Sequence, residues 1–306
     1  MRKQRGQKID GWLLIDKPLG VTSAYVVNRV KFAFDAQKVG HSGTLDPLAS
    51  GMLPIALGKA TKTISYIMDK PKTYQFILCF GERRSTDDAE GEVLERSHYR
   101  PSTVEIEEAL KQFQGRILQI PPIFSAIKVN GRRSYDLARQ GMIPELSKRP
   151  ARIDSFRLLE RLDEDCFLFE VISGKGVYMR SLARDLAAAC HSVGYISYLR
   201  RLVVGPFEVD KAIMLDHIVG NGKRGEASLD MILPVETVLN DISALALTSE
   251  EATDLGFGRK IAVEKLKNQA LPNTIGPNQI IRVVEGKRCI GLCRLENEWL
   301  RPVCIF

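Results

Sequence analysis

The stretch Gly43-Thr44-Leu45-Asp46-Pro47-Leu48-Ala49-Ser50-Gly51 places one carboxylate in a turn between two glycines. Pro47 disfavours helical dihedral angles at Asp46, and the flanking glycines permit backbone angles that other residues avoid. The sequence therefore predicts a stiff turn that presents the Asp46 side chain instead of burying it. The alternative interpretation is an Asx-type turn, in which the carboxylate only bonds its own backbone.

Composition predicts a soluble globular protein that binds a polyanion. The chain has 306 residues, of which 44% are hydrophobic and 26% charged, enough for one large domain and a small one. Lys and Arg outnumber Asp and Glu by 44 to 37, which gives a net charge of +7. Basic residues cluster at the N-terminus and in mid-chain, as expected for phosphate contacts. The two clusters are Arg2, Lys3, Arg5 and Lys8, and Lys128, Arg132, Arg133 and Arg139.

The cysteines predict a reducing compartment. All six lie in apolar stretches, namely Cys79, Cys166, Cys190, Cys289, Cys293 and Cys304. We expect reduced core residues of a cytoplasmic protein and no disulfide framework. Cys289 and Cys293 have neither a second pair nor a nearby histidine, so core packing is a better interpretation than zinc binding. No stretch approaches the length of a membrane span, so we expect no membrane partner.

Local patterns predict an alternation of helices and strands. Helices are predicted over residues 24–34, with Ser23 as N-cap, after the Ser102–Glu105 capping box, and over residues 179–191. Strands are predicted over residues 11–15, 73–80, 156–162, 166–173 and 199–204. Residues 220–225 predict a flexible excursion because they are rich in glycine. Three further strands, over residues 280–284, 289–294 and 300–305, predict a compact all-β tail.

Several familiar catalytic motifs are missing from the sequence. There is no P-loop, no G-x-G-x-x-G dinucleotide fingerprint and no G-x-S-x-G nucleophile elbow. The histidines are too dispersed for a predicted metal cluster; they are His41, His98, His191 and His217. The sequence therefore implies no cofactor and no metal.

The Asp46 turn, with His41 before it and residues 53–62 after it, resembles the active-site segment of the TruB family, the bacterial tRNA pseudouridine synthases that modify the T-loop. Four further segments match the same family in the same order. They are residues 14–18, 121–128, 175–180 and 198–202. The likeness covers about residues 10–215 well and the C-terminal quarter only loosely.

The resemblance implies a fold, a reaction and a partner. The expected fold is α+β, with a catalytic domain over residues 1–244 built on a mixed or antiparallel sheet. A small β-rich, PUA-like RNA-binding domain is expected over residues 245–306. The expected reaction is isomerisation of uridine 55 in the T-loop of tRNA to pseudouridine, on a base that is flipped out of the RNA. The T-arm of tRNA is the expected partner of a cytoplasmic monomer that needs no other protein.

The resemblance also implies roles for single residues. A carboxylate that acts as a nucleophile must stay ionised, which calls for a nearby cation. Asp46 is the implied nucleophile, Arg180 the cation that contacts it, and Tyr74 a candidate base for the final proton transfer. The implied substrate-binding residues are His41, Tyr178, Leu199, Lys17 and Lys62. The sequence leaves open whether Asp46 attacks C1′ of the ribose or C6 of the base.

Each of these residues also has a plain structural interpretation. Arg180 could lie on a solvent-facing helix, and Tyr74 and Tyr178 could be ordinary core tyrosines. His41 could be a turn residue, and Leu199 a core residue. The resemblance, and not the residue type, favours the functional interpretation in each case.

Residues 83–91 depart from the family pattern. Arg84-Ser85 stands where family members often carry Thr-Asp, while Thr86, Asp88 and Gly91 fit the pattern. This departure leaves the predicted nucleophile intact but changes the loop beside it. One hypothesis is that Arg84 adds a contact to an RNA phosphate.

Two other classes of protein share many of these features. A non-catalytic RNA-binding protein would also carry basic patches and aromatic residues, but it would not need an aimed carboxylate. A glycosylase that hydrolyses the base would use both a carboxylate and a flipped nucleotide. The turn that presents Asp46 distinguishes a synthase from the RNA-binding protein. Only analysis of the product distinguishes a synthase from the glycosylase.

Overall fold

The computed structural model describes residues 6–129, 131–219, 224–266, 276 and 278–306. Its strands are β1 (Gly11–Lys17), β2 (Val39–His41), β3 (Ala49–Leu57), β4 (Lys72–Phe80), β5 (Glu82–Arg84), β6 (Val93–Arg96), β7 (Gly115–Gln119), β8 (Lys128–Val129), β9 (Arg132–Arg133), β10 (Arg149–Arg161), β11 (Cys166–Ser173), β12 (Gly194–Val204), β13 (Phe207–Glu208), β14 (Ile213–Met214), β15 (Ala244–Ala246), β16 (Ile261–Ala262), β17 (Ile280–Glu285), β18 (Arg288–Glu296) and β19 (Trp299–Ile305). Its α-helices are α1 (Ser23–Ala33), α2 (Ile64–Met68), α3 (Thr103–Leu110), α4 (Ser134–Arg139), α5 (Met179–Ala189), α6 (Leu215–Val219) and α7 (Ser249–Gly256).

A ten-stranded mixed sheet forms the centre of the main domain. Eight strands follow the order β14-β1-β3-β12-β4-β11-β10-β7, while β13 pairs with β12 and β2 pairs with β3. The β1–β14 and β3–β12 pairs are parallel, and the other pairs of this sheet are antiparallel. The predicted α+β fold with a mixed sheet is confirmed.

Side chains of β1 are buried on both faces of the sheet, because they alternate along the strand. Leu13 and Ile15 belong to the larger core, which α1, α3 and α5 cover. Trp12 and Leu14 belong to a second core on the opposite face. Burial on both faces explains why β1 is apolar along nearly its whole length.

The C-terminal part forms its own five-stranded sheet in the order β15-β17-β18-β19-β16. The three strands predicted for the tail are confirmed as β17, β18 and β19. The expectation that the tail is all-β is wrong, since α7 packs its Ala252 and Leu255 into the core of this sheet. Leu292 of β18 reaches the second core of the main domain and joins the two parts.

The start of the tail sheet lies near the predicted domain boundary. The first strand of that sheet, β15, spans Ala244–Ala246 and therefore straddles the predicted division between residues 244 and 245. The division into two domains, and the PUA-like character of the second, remain predictions.

The helix α1 begins one residue earlier than predicted, because its N-cap is Thr22 and not Ser23. The Thr22 side chain accepts a hydrogen bond from the Tyr25 amide. Ser23 lies within the helix, and its hydroxyl bonds the backbone of Leu45 instead. A residue that looked like a cap is thus a link between α1 and the Asp46 turn.

The prediction that all six cysteines are reduced is wrong for one pair. Cys79 and Cys166 form a disulfide between β4 and β11, where they lie directly opposite each other in antiparallel register. The sequence hid this pairing because 87 residues separate the two cysteines. Cys190, Cys289 and Cys293 are free and buried, and burial raises the pKa of Cys293 to about 12.

Two predicted features fall partly or wholly on residues outside those described. These are the N-terminal basic residues Arg2, Lys3 and Arg5, and residues 220–223 of the glycine-rich excursion. Among the helices of the described residues, none has both the length and the apolar character that crossing a membrane requires.

Gly51 allows the Asp46 turn to pack against β12. Its φ is +101°, and a Cβ at this position would lie 2.2 Å from the Arg201 carbonyl oxygen. Gly115 has a similar φ of +80°, but a Cβ there would meet nothing within 4 Å. Replacing each glycine by alanine therefore separates two losses of stability. At Gly115 only the left-handed backbone contributes, whereas at Gly51 a steric clash contributes as well.

We expect Gly51→Ala to lower the free energy of unfolding by about 3 kcal/mol or more, because clash and backbone strain add. Gly115→Ala should cost only about 1–2 kcal/mol, the backbone term alone. Urea denaturation of both variants measures the difference. Equal losses would contradict the assigned close approach of β3 and β12.

Candidate active site

Three neighbouring strands gather the predicted site residues at one end of the sheet. β3 begins at Ala49, three residues after Asp46, and runs parallel to β12 with Ala49 opposite Leu199. β12 also pairs with β4, where Tyr74 lies opposite Arg201. The Asp46 turn, Leu199 and Tyr74 therefore meet although they lie far apart in sequence.

A cavity of about 310 Å³ lies at this end of the sheet. Five of the eight predicted site residues line it, namely Asp46, Tyr74, Tyr178, Arg180 and Leu199. The volume is on the scale of ordinary small-molecule sites, which span roughly 300–1,000 Å³. The cavity is therefore the candidate active site.

Backbone contacts hold the Asp46 turn on both sides. The Ser23 hydroxyl donates to the Leu45 carbonyl at 3.0 Å and accepts from the Leu45 amide at 2.8 Å. The Gly20 amide donates to the Pro47 carbonyl at 2.9 Å. These bonds fix the residues before and after Asp46, so its side chain is aimed by contacts from two other segments.

Arg180 is the partner of Asp46. Its Nη2 lies 2.8 Å from Asp46 Oδ2, and its Nη1 lies 3.4 Å from Asp88 Oδ2. The guanidinium also donates to the carbonyls of Thr86 at 2.9 Å and Phe124 at 2.8 Å. With only 5% of its surface exposed, Arg180 does not fit the solvent-facing alternative.

The Asx-turn alternative also does not fit the geometry. Among the described residues, the Asp46 carboxylate pairs with Arg180 and makes no hydrogen bond to the backbone of its own turn. Its side chain is 39% exposed, while that of Arg180 is 6% exposed. The carboxylate is thus open to the cavity and held from behind by a buried cation.

A second arginine of α5 supports the loop that holds Arg180. Arg184 lies one helical turn after Arg180, and its Nη1 is 3.0 Å from Asp87 Oδ2. Asp87 has an unusual left-handed φ of +59°. Burial raises its pKa above the ordinary value, although Arg184 opposes this effect. No role for Asp87 or Asp88 was predicted from the sequence, in which Asp88 fits the family pattern and Asp87 carries no signal.

The two tyrosines offer aromatic faces at the cavity. The backbone of Tyr178 is fixed by the buried Gln119, which accepts from the Tyr178 amide at 2.9 Å and donates to its carbonyl at 3.0 Å. Burial raises the pKa of Tyr178, so its phenol is neutral at neutral pH. Tyr74 is half-buried and lines the same cavity.

Lys17 and His41 do not line the cavity, and their predicted substrate contacts remain predictions. Lys17 is fully buried, and its ammonium donates to the Val21 carbonyl at 2.6 Å and the Pro47 carbonyl at 3.5 Å. His41 Nδ1 accepts from the Gly43 amide at 3.3 Å, and burial lowers the pKa of the imidazole. Both residues support the Asp46 turn from outside the cavity.

Lys62 and Arg84 are also engaged away from the cavity. Lys62 Nζ donates to the Ile305 carbonyl at 3.0 Å, so it links the main domain to the tail. Arg84 pairs with Glu82 at 2.9 Å and lies over the Tyr195 ring at 4.2 Å. These contacts argue against the hypothesis that Arg84 contacts an RNA phosphate.

The mid-chain basic cluster remains exposed, as an RNA contact would require. Its residues Lys128, Arg132, Arg133 and Arg139 lie at the surface around β8, β9 and α4. Across the described part of the chain, no three His, Cys, Asp or Glu side chains form a group that could hold a metal ion.

Comparison with known proteins places this site in context. A family model described as "TruB family pseudouridylate synthase (N terminal domain)" matches residues 31–179. A protein of Gluconacetobacter diazotrophicus named tRNA pseudouridine synthase B is 57% identical, over 99% of this chain and 99% of that protein. One of Rhodospirillum rubrum with the same name is 46% identical, over 99% of this chain and 98% of that protein.

Solved structures show the same fold. The structure of a Cbf5-Nop10-Gar1 complex contains a chain that is 25% identical, with a TM-score of 0.69, over 94% of this chain and 79% of that one. A structure of an H/ACA RNP bound to a substrate RNA containing 2′-deoxyuridine matches with a TM-score of 0.72 and 22% identity, over 100% of this chain and 91% of that one.

The curated relatives, which match nearly the whole chain, identify a pseudouridine synthase. Within that class the chain belongs to the TruB family of pseudouridylate synthases. The family resemblance and the enzyme class predicted from the sequence are thereby confirmed.

We expect Ser23→Ala to lower activity because it releases Leu45 and lets the Asp46 turn move. The change removes two buried hydrogen bonds and should cost about 1–3 kcal/mol of stability. Single-turnover rates with a T-arm RNA hairpin should fall about tenfold, the effect of a small misplacement of a reacting group. Ser102→Ala is the matched control, since it removes the capping box of α3 without touching the cavity. If the two variants lost stability and activity in the same proportion, Ser23 would have no special effect on the turn.

Proposed function

We propose that this chain isomerises uridine 55 in the T-loop of tRNA to pseudouridine, with Asp46 as the nucleophile. The observation that carries this proposal is the 2.8 Å pair between the cavity carboxylate and the buried Arg180. The names of the curated relatives support tRNA as the substrate class. The position of the target uridine and the role of Asp46 come from the resemblance of the Asp46 segment.

The charge and exposure of the pair suit a nucleophile. A buried guanidinium in contact with a carboxylate holds that carboxylate in a fixed direction. Arg180 is held by the carbonyls of Thr86 and Phe124, so it cannot follow a moving partner. Asp46 therefore keeps its direction, while its 39% exposed side chain stays open to a bound nucleotide.

The aromatic lining suits an extruded base. Pulling a uridine out of folded RNA costs a few kcal/mol. Stacking of a base on an aromatic side chain is worth about 1–3 kcal/mol, which offsets much of that cost. Tyr74 and Tyr178 line the cavity in which the base would have to lie. Leu199 adds an apolar side chain to the same lining.

The proposed reaction breaks one bond to the ribose and makes another. The N1–C1′ bond of uridine breaks, the uracil turns within the cavity, and C5 forms the new bond to C1′. The bond that Asp46 formed as nucleophile breaks again. C5 loses its proton, for which we assign Tyr74 as the base, and N1 gains a proton, so the product is an isomer of the uridine. No redox step is involved, so the isomerisation balances without a co-reactant.

We further propose that the chain acts on the T-arm as a monomer in the cytoplasm, without an obligatory protein partner. The exposed basic cluster around α4 supports contact with RNA outside the cavity. The β-rich C-terminal sheet supports a PUA-like RNA-binding role for residues 245–306. Two measurements on the purified chain test this assignment. Light scattering should give the mass of a single chain, and that preparation should be active without any added protein.

The direct test follows tritium release from C5 of uridine in a T-arm RNA hairpin, together with nucleoside analysis of the product. We expect release by the unaltered chain, with pseudouridine in the RNA. Asp46→Asn should slow release by more than about 10⁴-fold, the scale for loss of a covalent nucleophile. Asp154→Asn is the matched control, because it also removes an arginine-paired carboxylate but one outside the cavity.

The other outcomes separate the remaining classes of protein. Free uracil in place of pseudouridine would identify a glycosylase. Tight binding of the hairpin with no reaction by the unaltered chain would identify a non-catalytic RNA-binding protein. Equal rates for Asp46→Asn and the unaltered chain would remove Asp46 as the nucleophile.

A further inference from the structure

The candidate cavity carries more positive than negative charge. Its charged lining residues are Asp46, Lys72, Lys175, Arg180 and Arg201. Arg180 pairs with Asp46, and Lys175 pairs with Asp69 outside the cavity. Lys72 and Arg201 form no ion pair with any carboxylate among the described residues. These two cations of the cavity wall therefore have no carboxylate within ion-pair distance among the described residues, although the more distant charge of Asp69 partly offsets the burial of Lys72.

Both of these cations are buried. Only 6% of Lys72 and 2% of Arg201 is exposed. Lys72 Nζ donates to the carbonyls of Met68 and Lys70, and Arg201 Nε donates to the Met52 carbonyl at 2.7 Å. Carbonyls offset part of the cost of burying a charge, but they do not neutralise it. Buried Lys and Arg side chains usually have an acidic partner.

The two cations also repel each other. They come from adjacent strands, β4 and β12, whose pairing places Lys72 opposite Val204 and Arg201 opposite Tyr74. Burial, and after it the charge of Arg201, lower the pKa of Lys72 to about 8. A lysine with that pKa is still mostly charged at neutral pH. An anion bound beside both side chains would relieve the repulsion.

Several hydrogen-bond donors in this part of the cavity remain available. Arg201 has five N–H groups, and its bonds to Met52 and Gly43 use two of them. Lys72 has three and uses two. The Ser42 hydroxyl lines the same cavity and is buried without a hydrogen-bond partner among the described residues. Phosphate oxygens are the acceptors that such a set of cationic and hydroxyl donors fits best.

We propose that Lys72 and Arg201 form a phosphate subsite, which binds an RNA phosphodiester directly next to the extruded uridine. The two cations flank Tyr74: Lys72 precedes it by two residues in β4, and Arg201 lies opposite it in β12. A nucleotide whose base stacks on Tyr74 thus brings its own phosphate to these cations. This assignment rests on the proposed synthase function. It adds a contact to the RNA backbone to the stacking of the base.

A purely structural role makes a different prediction. Lys72 donates to the carbonyl of Met68, the last residue of α2. In the structural alternative, capping this helix is the whole role of Lys72. A cap would affect stability, but it would not respond to the charge of a particular RNA phosphate. The test therefore varies the phosphate as well as the protein.

The experiment uses T-arm hairpins in which one phosphodiester flanking the target uridine, on the 5′ or the 3′ side, is replaced by a neutral methylphosphonate. Binding is measured by fluorescence anisotropy in the Asp46→Asn background, so that the RNA is not converted. At one of the two positions we expect the methylphosphonate to weaken binding about tenfold to a hundredfold, the range for one charge-assisted contact. In the Lys72→Gln chain the same replacement should weaken binding at least about threefold less than in the chain that retains Lys72, because one of the two cations is already missing and Arg201 alone remains.

Two further variants complete the cycle. Lys72→Arg should restore the response to the methylphosphonate, since it restores the charge. Lys111→Gln removes a lysine that is exposed and paired with Glu108 outside the cavity, and it should respond like the unaltered chain.

The phosphate subsite is overturned if neither flanking methylphosphonate weakens binding to a chain that retains Lys72. That result is measured on a chain that retains Lys72, so it does not depend on whether the Lys72 variants fold. The subsite is also overturned if the response is equal with and without Lys72. Pseudouridine formation on the unmodified hairpin is scored separately, so failure of the subsite is distinguishable from failure of the proposed function.

Discussion

The buried guanidinium of Arg180 is the interaction on which the site depends. It lies between two carboxylates, Asp46 at 2.8 Å and Asp88 at 3.4 Å. Removing one partner of a buried ion pair typically costs about 3–5 kcal/mol, because the remaining charge is left uncompensated. The folded chain therefore has to bring the Asp46 turn and the 86–88 loop to the start of α5. The same contact that satisfies the buried cation also orients the carboxylate toward the cavity.

The central sheet makes this meeting possible. A parallel pair between β3 and β12 places the start of β3 beside Leu199, and therefore places the preceding Asp46 turn over the end of the sheet. Ser23 in α1 and Gly20 after β1 then fix the turn from the outside. Fully buried Lys17 and the half-buried His41 add bonds to the same segment. The proposed nucleophile thus lies in a loop, but the elements of the central sheet and α1 hold that loop in place.

The sequence predicted features whose signal is local and missed those that depend on long-range pairing. The Asp46 turn, the strand that carries Tyr74 and the helix that begins near Arg180 all have a signature within about ten residues, as helix caps and strand patterns do. Asp88, Gln119 and Ser23 look like ordinary polar residues until the fold brings their partners close. The Cys79–Cys166 disulfide is visible only once the β4–β11 register is known. α7 is a different case, since its Thr248–Glu251 capping box is a local signal equal to that of Ser102–Glu105.

The structure places Lys17 and Lys62 outside the cavity lining, so their predicted substrate contacts still rest on the resemblance alone. A lysine in a matched segment can contact substrate or backbone, and only burial distinguishes the two. Lys17 is fully buried against carbonyls, and Lys62 is bound to the C-terminal strand. Lys72 and Arg201, to which the sequence assigned no role, line the cavity together with Lys175 and Arg180.

The most direct measurement is a double-mutant cycle between Arg180→Lys and Asp88→Asn, read as the single-turnover rate of pseudouridine formation. If Asp88 acts by holding Arg180 against Asp46, the double variant should be about as slow as the slower single variant. The coupling should then be about 1–3 kcal/mol, the range for charged groups in one network. Losses that simply multiply would show that Asp88 and Arg180 act independently, and would contradict the claim that the buried guanidinium joins the two carboxylates into one unit.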